Sequence, residues 1–214
     1  MPERRAFATQ FASTPHRDET AELGMWVFIA TEVLLFGGLL LGYFVYRHAY
    51  PQAFAEASRH TDILIGTANT AFLLTSSLLV ACAVDALRTN ARGVCVALLA
   101  GAIVLGSLFL GLKAIEYADE YRERLMPGIN FAFSGPLANG VQLFFVFYFV
   151  ATAVHALHML IGICVLAILV LVVRKPDDTR HRTALHSAAL YWHFVDVVWI
   201  FLFALIYLPG RSGG

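Results

Sequence analysis

Five long runs of apolar residues occupy most of this 214-residue chain. The hydrocarbon core of a bilayer is about 30 Å thick, so a helix that crosses it needs about 20 apolar residues. The runs are too long for membrane strands and lack their alternation of apolar and polar residues. The sequence therefore predicts an all-α fold, an integral membrane bundle of five transmembrane helices. The predicted spans are residues 23–46, 63–87, 93–115, 138–173 and 184–208.

The composition supports a lipid environment. Hydrophobic residues make up 59% of the chain and charged residues 14%, whereas soluble domains have about 45–50% and about 25%. The formal net charge is zero, so there is no basic signal for nucleic acid. Cys82, Cys95 and Cys164 each stand alone inside an apolar run. This spacing predicts neither a disulfide framework nor a cysteine metal site.

We divide the chain into an N-terminal tail (1–21), a five-helix transmembrane domain (22–209) and a C-terminal tail (210–214). The tail is too polar for a simple signal peptide. Nine Lys and Arg residues lie in the tail and the two loops on its side of the membrane, against six on the other side. Cytoplasmic loops carry the excess of Lys and Arg, so we expect a cytoplasmic N-terminus and an outside C-terminus.

Ionisable groups inside a membrane are costly, so they mark pairing or function. Glu32 lies about ten residues into the first run, roughly 15 Å deep at 1.5 Å per residue. It is either part of a proton relay, a lipid or partner contact, or a neutral carboxyl bonded to a neighbouring helix. His193 and Asp196 are three residues apart and share a helix face. Asp196 is expected to hold the His193 ring by a hydrogen bond, and the pair could simply lock helix packing.

His155 and His158 also share a face of their run. They could ligate a metal or a haem, which would make the chain a membrane cytochrome. Haem usually needs ligands from two helices at one depth, and this pair lies about 10 Å nearer the outside than His193. Interhelical hydrogen bonding is therefore favoured. Lys113 and Glu116 predict a salt bridge at the membrane interface, with the lysine reaching towards water.

The sequence contains no nucleotide-binding loop, nucleophile elbow or haem-attachment motif. No catalytic, cofactor-binding or metal residue is predicted in this chain. A transporter is disfavoured because neither an inverted repeat nor a broken helix is evident.

Five sequence blocks, one or more in each run, resemble subunit III of the haem-copper oxidases. The order of the blocks along the chain is the same as in that family. They are GMWVFIATEVLLFGG (24–38), NTAFLLTSS (69–77), KAIEY (113–117), FVATAVHALHMLIG (149–162) and YWHFVDVVWIFLF (191–203).

The resemblance implies a subunit that binds neither haem nor copper, which belong to partner subunits I and II. Subunit III of that family packs directly on subunit I, supports its proton uptake, slows its inactivation during turnover and binds phospholipid in a cleft. The acid that lies near bound lipid in the family matches Glu32. The other polar positions of the family match Glu116, His155, His158, His193 and Asp196.

Longer members of the family have seven spans, and this chain matches the last five. One wall of the family's lipid cleft is therefore absent or is supplied by another subunit. The five-span form occurs in cytochrome oxidases, quinol oxidases and a nitric oxide reductase branch. That branch tends to carry a different acid at the position of Glu32, which favours an oxidase. We expect a subunit of a cytochrome c oxidase in a bacterial inner membrane, with quinol oxidase or nitric oxide reductase as alternatives. Expected partners are subunits I and II, a small subunit IV, phospholipids and a respiratory supercomplex.

Overall fold

The computed structural model describes residues 14–174 and 179–211, with side chains for 20, 22–174 and 181–211. Within those ranges the chain forms six α-helices. Five of them contain segments long and apolar enough to cross a membrane, which confirms the predicted fold class. The helices are α1 (Thr14–Ala49), α2 (Pro51–Arg59), α3 (Ile63–Arg88), α4 (Arg92–Arg122), α5 (Ala138–Val173) and α6 (Thr179–Ile206).

The helices differ most from the predicted spans at the start of α1, at the end of α4 and in the additional helix α2. Helix α1 begins at Thr14, so the end of the predicted N-terminal tail is helical, and residues 1–13 lie outside the described residues. Helix α4 continues beyond residue 115 to Arg122. Helix α2 was not predicted, because its nine residues are too few to cross a membrane. Its Ala53, Phe54 and Ala57 are buried, so this short helix packs its apolar side onto the bundle.

Helix α6 lies at the centre of the bundle. It packs against α1, α3 and α5, while α4 packs against α3 and α5. Half of the most apolar stretch of α6 is buried, against 17% of the corresponding stretch of α1. Helix α1 is therefore the peripheral helix, although the Tyr43 hydroxyl ties it to α6 by donating to the Leu205 carbonyl.

Two tryptophans of α6 join it to α3. The Trp192 indole N–H donates to Ser76 Oγ at 3.1 Å, and the Trp199 indole N–H donates to Thr70 Oγ1 at 3.1 Å. Gly162 of α5 leaves room for the first ring, since a Cβ there would lie 3.0 Å from Trp192. Small residues commonly permit close helix approach in membranes, and here the approach brings an indole donor to a serine hydroxyl.

One end of the bundle, which we call the α2 end, holds α2, residues 123–137 and residues 207–211. Arg211 donates to four backbone carbonyls there, those of Ser58, Arg59, Thr61 and Tyr207. The Gly210 amide donates to Ser58 Oγ at 2.7 Å. A Cβ on Gly210 would lie 2.2 Å from the Ala55 carbonyl oxygen, so only glycine fits. The predicted C-terminal tail thus begins as a segment docked on α2, and residues 212–214 lie outside the described residues.

Candidate functional site

A buried ion pair lies near the α2 end. Lys113 and Glu116 stand one turn apart on α4, and Lys113 Nζ donates to Glu116 Oε2 at 2.8 Å. The ammonium also donates to the Tyr148 hydroxyl at 2.9 Å and to the Tyr207 hydroxyl at 3.1 Å. Tyr207 in turn donates to Glu116 Oε1 at 2.7 Å. All three donors of the ammonium and both oxygens of the carboxylate therefore have partners.

Lys113 and Glu116 pair as expected, but both side chains are buried in the protein, and the lysine does not reach towards water. Lys113 is 4% exposed and Glu116 is 2% exposed. The lysine does not reach towards water because aromatic rings surround it: its Nζ lies 4.6 Å from the Tyr148 ring centroid and 5.7 Å from that of Trp199. Ammonium groups within about 6 Å of such rings are stabilised by the ring quadrupole. The cluster of Lys113, Glu116, Tyr148 and Tyr207, which we call the lysine cluster, is part of the protein interior.

A second pair joins the peripheral helix α1 to α5. His158 Nε2 lies 2.9 Å from Glu32 Oε2, and the two side chains are 11% and 14% exposed. His158 Nδ1 lies 2.8 Å from the Val154 carbonyl oxygen. A carbonyl only accepts, so Nδ1 carries a hydrogen. If the imidazole is neutral, Nε2 is an acceptor and a protonated Glu32 carboxyl must donate to it. If the imidazole is protonated, Nε2 donates to an ionised Glu32 carboxylate. The Glu32–His158 pair thus shares one proton.

The sequence placed His158 about 10 Å nearer the outside than His193, and the structure brings it beside Glu32. The depth estimate counted residues from the ends of the spans. Helix α5 has 36 residues, more than a membrane requires, so its ends do not mark the membrane boundary. Phe36, one turn after Glu32, packs edge-on to the His158 ring with centroids 5.3 Å apart. The interhelical hydrogen bond expected of His158 is therefore made with α1.

The predicted bond between His193 and Asp196 is wrong. His193 Nδ1 lies 2.6 Å from Ser77 Oγ of α3. Asp196 is buried and makes no hydrogen bond of standard geometry in the described part of the chain, although the same Ser77 hydroxyl is close enough to act on its carboxyl group. The two residues share a helix face, but the His193 ring reaches a hydroxyl of the neighbouring helix. Side-chain spacing alone does not reveal such an acceptor.

His155 lies on α5 with neighbours unlike those of His158. Its ring is fully buried, with its centroid 5.4 Å from that of Phe109 and 5.2 Å from that of Trp199. Neither ring nitrogen meets a partner among the described residues, so the interhelical hydrogen bond expected of it is not seen there. Nor, within those residues, do three His, Cys, Asp or Glu side chains come close enough to hold a metal ion.

Sequence reasoning missed three residues of the α2 end. Tyr148 and Tyr207 complete the lysine cluster, and Glu120 lies one turn beyond Glu116, 3% exposed. The signal for Glu120 was present, because residues 113, 116 and 120 fall on one face of a helix. The predicted third span ends at residue 115, five residues before Glu120.

Comparisons with known proteins agree with the sequence blocks. The family described as cytochrome c oxidase subunit III matches residues 9–211. A probable quinol oxidase subunit 3 of Staphylococcus aureus is 27% identical, over 92% of this chain and 93% of the relative. A cytochrome c oxidase subunit 3 of Formosania lacustris is 31% identical, over 92% of this chain and 72% of the relative. The chain therefore belongs to the cytochrome c oxidase subunit III family, as an integral membrane subunit of a multi-subunit haem-copper oxidase.

Proposed function

We propose that this chain is the non-catalytic subunit III of a proton-pumping terminal oxidase of the cytochrome c oxidase type. It packs directly on subunit I, supports proton uptake into that subunit and slows its inactivation during turnover. Haem and copper reside in subunits I and II, and this chain holds none. Subunit II, a small subunit IV and a respiratory supercomplex are its further proposed partners, in a bacterial plasma membrane with the N-terminus in the cytoplasm.

The observation that carries this proposal is the Glu32–His158 pair. It places one shared proton inside the membrane, at the contact between α5 and the least buried helix. Polar groups at such positions are costly and mark function by default. Because His158 Nδ1 is already bonded to Val154, the proton exchanges only along the side that faces Glu32. The pair is thus suited to hold a proton near a neighbouring subunit.

Bound phospholipid is proposed to cover α1 beside this pair. The large apolar side chains on the outer side of α1 are exposed, including Trp26, Val27, Leu34 and Leu41. Lipid tails or another subunit must cover them in a membrane. Glu32 lies roughly 15 Å into its span by helix rise, so acyl chains rather than headgroups are the lipid parts expected beside it.

The test is to replace Glu32 in the purified complex. Glu32→Gln keeps a hydrogen-bonding group but removes the carboxyl proton, and Glu22→Gln, an exposed position on the same helix, is the matched control. We expect Glu32→Gln to assemble, to inactivate after fewer turnovers and to alter copurifying phospholipid, while Glu22→Gln behaves as wild type. Unchanged lifetime and lipid content in Glu32→Gln would reduce Glu32 to a packing role.

A quinol oxidase subunit III is the second candidate, because a relative of this chain carries that name. Oxygen consumption by the purified complex with reduced cytochrome c, or with a quinol, distinguishes the two. Reduction of nitric oxide in place of oxygen would exclude both, and stoichiometric haem in the isolated chain would indicate a membrane cytochrome.

A further inference from the structure

A polar cavity opens at the α2 end beside Glu120. Its volume is about 590 Å³, and its walls are the end of α2, the start of α3, the last turns of α4 and Arg211. Glu116 and Glu120 lie on its inner wall, next to the lysine cluster. A polar cavity of this size has ample room for water. The cavity therefore connects water at the α2 end with buried carboxyl groups.

Most charged groups of the outer wall already have partners. Asp62 caps α3, with its Oδ1 accepting from the amides of Leu64 and Ile65 at 2.8 and 3.2 Å. Asp119 accepts from Arg122 at 2.8 Å. Asp62 is therefore already bonded at a helix terminus and Asp119 in an exposed ion pair, and neither acid needs a ligand from the cavity.

The basic groups of the cavity wall also contact other parts of the protein. Arg59 donates to Glu56 at 3.4 Å and to the Gly210 carbonyl at 3.1 Å. Arg211 donates to backbone carbonyls, as described above, and the His60 ring packs edge-on to Phe133 with centroids 6.0 Å apart. No cation of the described wall therefore makes an ion pair with Glu120.

Glu120 is the exception. It is 3% exposed and makes no hydrogen bond of standard geometry among the described residues, although the Tyr148 hydroxyl is close enough to act on its carboxyl group. Lys113, Glu116 and Glu123 are close enough to act on its charge, but Lys113 is already neutralised by Glu116. An ionised Glu120 would leave this buried region with one uncompensated negative charge. Buried carboxylates in that position take up a positive charge, either a proton or a metal cation.

The ligand geometry favours the proton. Both oxygens of Glu116 are occupied by Lys113 and Tyr207, so they are not free for a metal ion. Among the described residues no three acidic, His or Cys side chains converge on one point. A cation that prefers six or more oxygen ligands would therefore meet no such group of side chains in the described part of the chain.

We propose that Glu120 is a proton-binding carboxylic acid that exchanges its proton with water at the α2 end through this cavity. When it holds the proton, Lys113 and Glu116 balance each other; when it releases the proton to water, the region gains one negative charge beside the Lys113 ammonium. The net charge beside the lysine cluster therefore depends on the pH of the solution on one side of the membrane.

The test is an infrared measurement on the purified complex at neutral pH. We expect the difference spectrum between wild type and Glu120→Gln to show loss of one carboxylic acid C=O band, and this band to shift in D₂O. Glu123→Gln, at the exposed end of the same segment, should instead lose carboxylate bands. If Glu120→Gln does not assemble, Glu120→Asp is measured in its place. This variant retains a carboxylic acid, so its C=O band should shift in frequency rather than disappear.

Loss of carboxylate bands in Glu120→Gln would overturn the proposal, since Glu120 would then be ionised. An acid band that does not shift in D₂O would overturn the exchange through the cavity. A band that appears only after EDTA and disappears with CaCl₂ would identify a metal cation as the occupant and also overturn it. The spectrum reads protonation rather than turnover, so its outcome is independent of the proposed function.

Discussion

Two ionisable pairs in the described part of the chain are built in opposite ways. Lys113 and Glu116 stand on one helix, and hydroxyls from two other parts of the chain complete their hydrogen bonds. Glu32 and His158 come from two helices, one of them peripheral, and meet through a single contact. The first pair is fixed on every side, whereas the second depends on the position of α1. We infer that the lysine cluster serves the scaffold and that the Glu32–His158 pair can respond to what lies against α1.

This comparison predicts a large effect when the lysine cluster is broken. Lys113→Met leaves the Glu116 carboxylate buried without its cation, and removing one partner of a buried ion pair costs about 3–5 kcal/mol. Thermal unfolding of the purified complex measures the loss. Lys113→Met combined with Glu116→Gln is the control, and it should recover part of the stability because no unpaired charge remains. A single variant as stable as wild type would contradict the scaffold role.

The docked segment at the α2 end should show the next largest effect. Arg211→Ala removes the donors to four carbonyls, and a few lost hydrogen bonds at a partly exposed site should cost about 1–3 kcal/mol in total. Arg122→Ala, which removes only an exposed ion pair with Asp119, should cost less than about 1 kcal/mol. The same unfolding assay compares the two. Equal losses would show that the segment does not hold the α2 end together.

Separating α1 from α5 should cost less still. His158→Gln removes the ring that meets Glu32, and a net loss of about 0.5–1.5 kcal/mol is typical of one hydrogen bond. The more telling measurement is protease sensitivity of α1, which should rise while the rest of the bundle is protected. A loss of stability as large as that of Lys113→Met would erase the distinction between the two pairs.

The smallest effect is expected for the hydrogen bond between α3 and α6 at His193. Ser77→Ala removes it, at a cost of about 0.6 kcal/mol as found for polar contacts between membrane helices. Thr75→Ala is the matched control, because that hydroxyl bonds only to the Ala71 carbonyl of its own helix. Indistinguishable stabilities of the two variants would mean that the His193 contact contributes nothing to helix packing.

The five spans could be predicted because lipid sets a minimum length for an apolar helix. Helix α2 could not, since nine residues at the end of a bundle carry no such length signal. The ion pair on α4 followed from its spacing of three residues. The burial of this ion pair could not be predicted from that spacing, because Tyr148 and Tyr207, which cover it, come from distant parts of the sequence.

The hydrogen-bond partners of Glu32 and His193 could not be predicted from the sequence either. Depth counted along a run is uncertain when the run is longer than the membrane, as in α5. To predict whether Glu32 bonds to His158 or to His193, one must know which helix packs against α1 at the depth of Glu32. Helix rotation is set by packing with neighbours, and a single sequence does not contain it.

The order of the lysine cluster along the chain has a consequence for biogenesis. Ribosomes deliver α4 to the membrane first, then Tyr148 on α5 and last Tyr207 after α6. During insertion Lys113 and Glu116 have only each other, and their spacing on one helix lets them enter as a neutral unit. The hydrogen bonds of the lysine cluster are therefore complete only after Tyr207, which follows α6, has been synthesised.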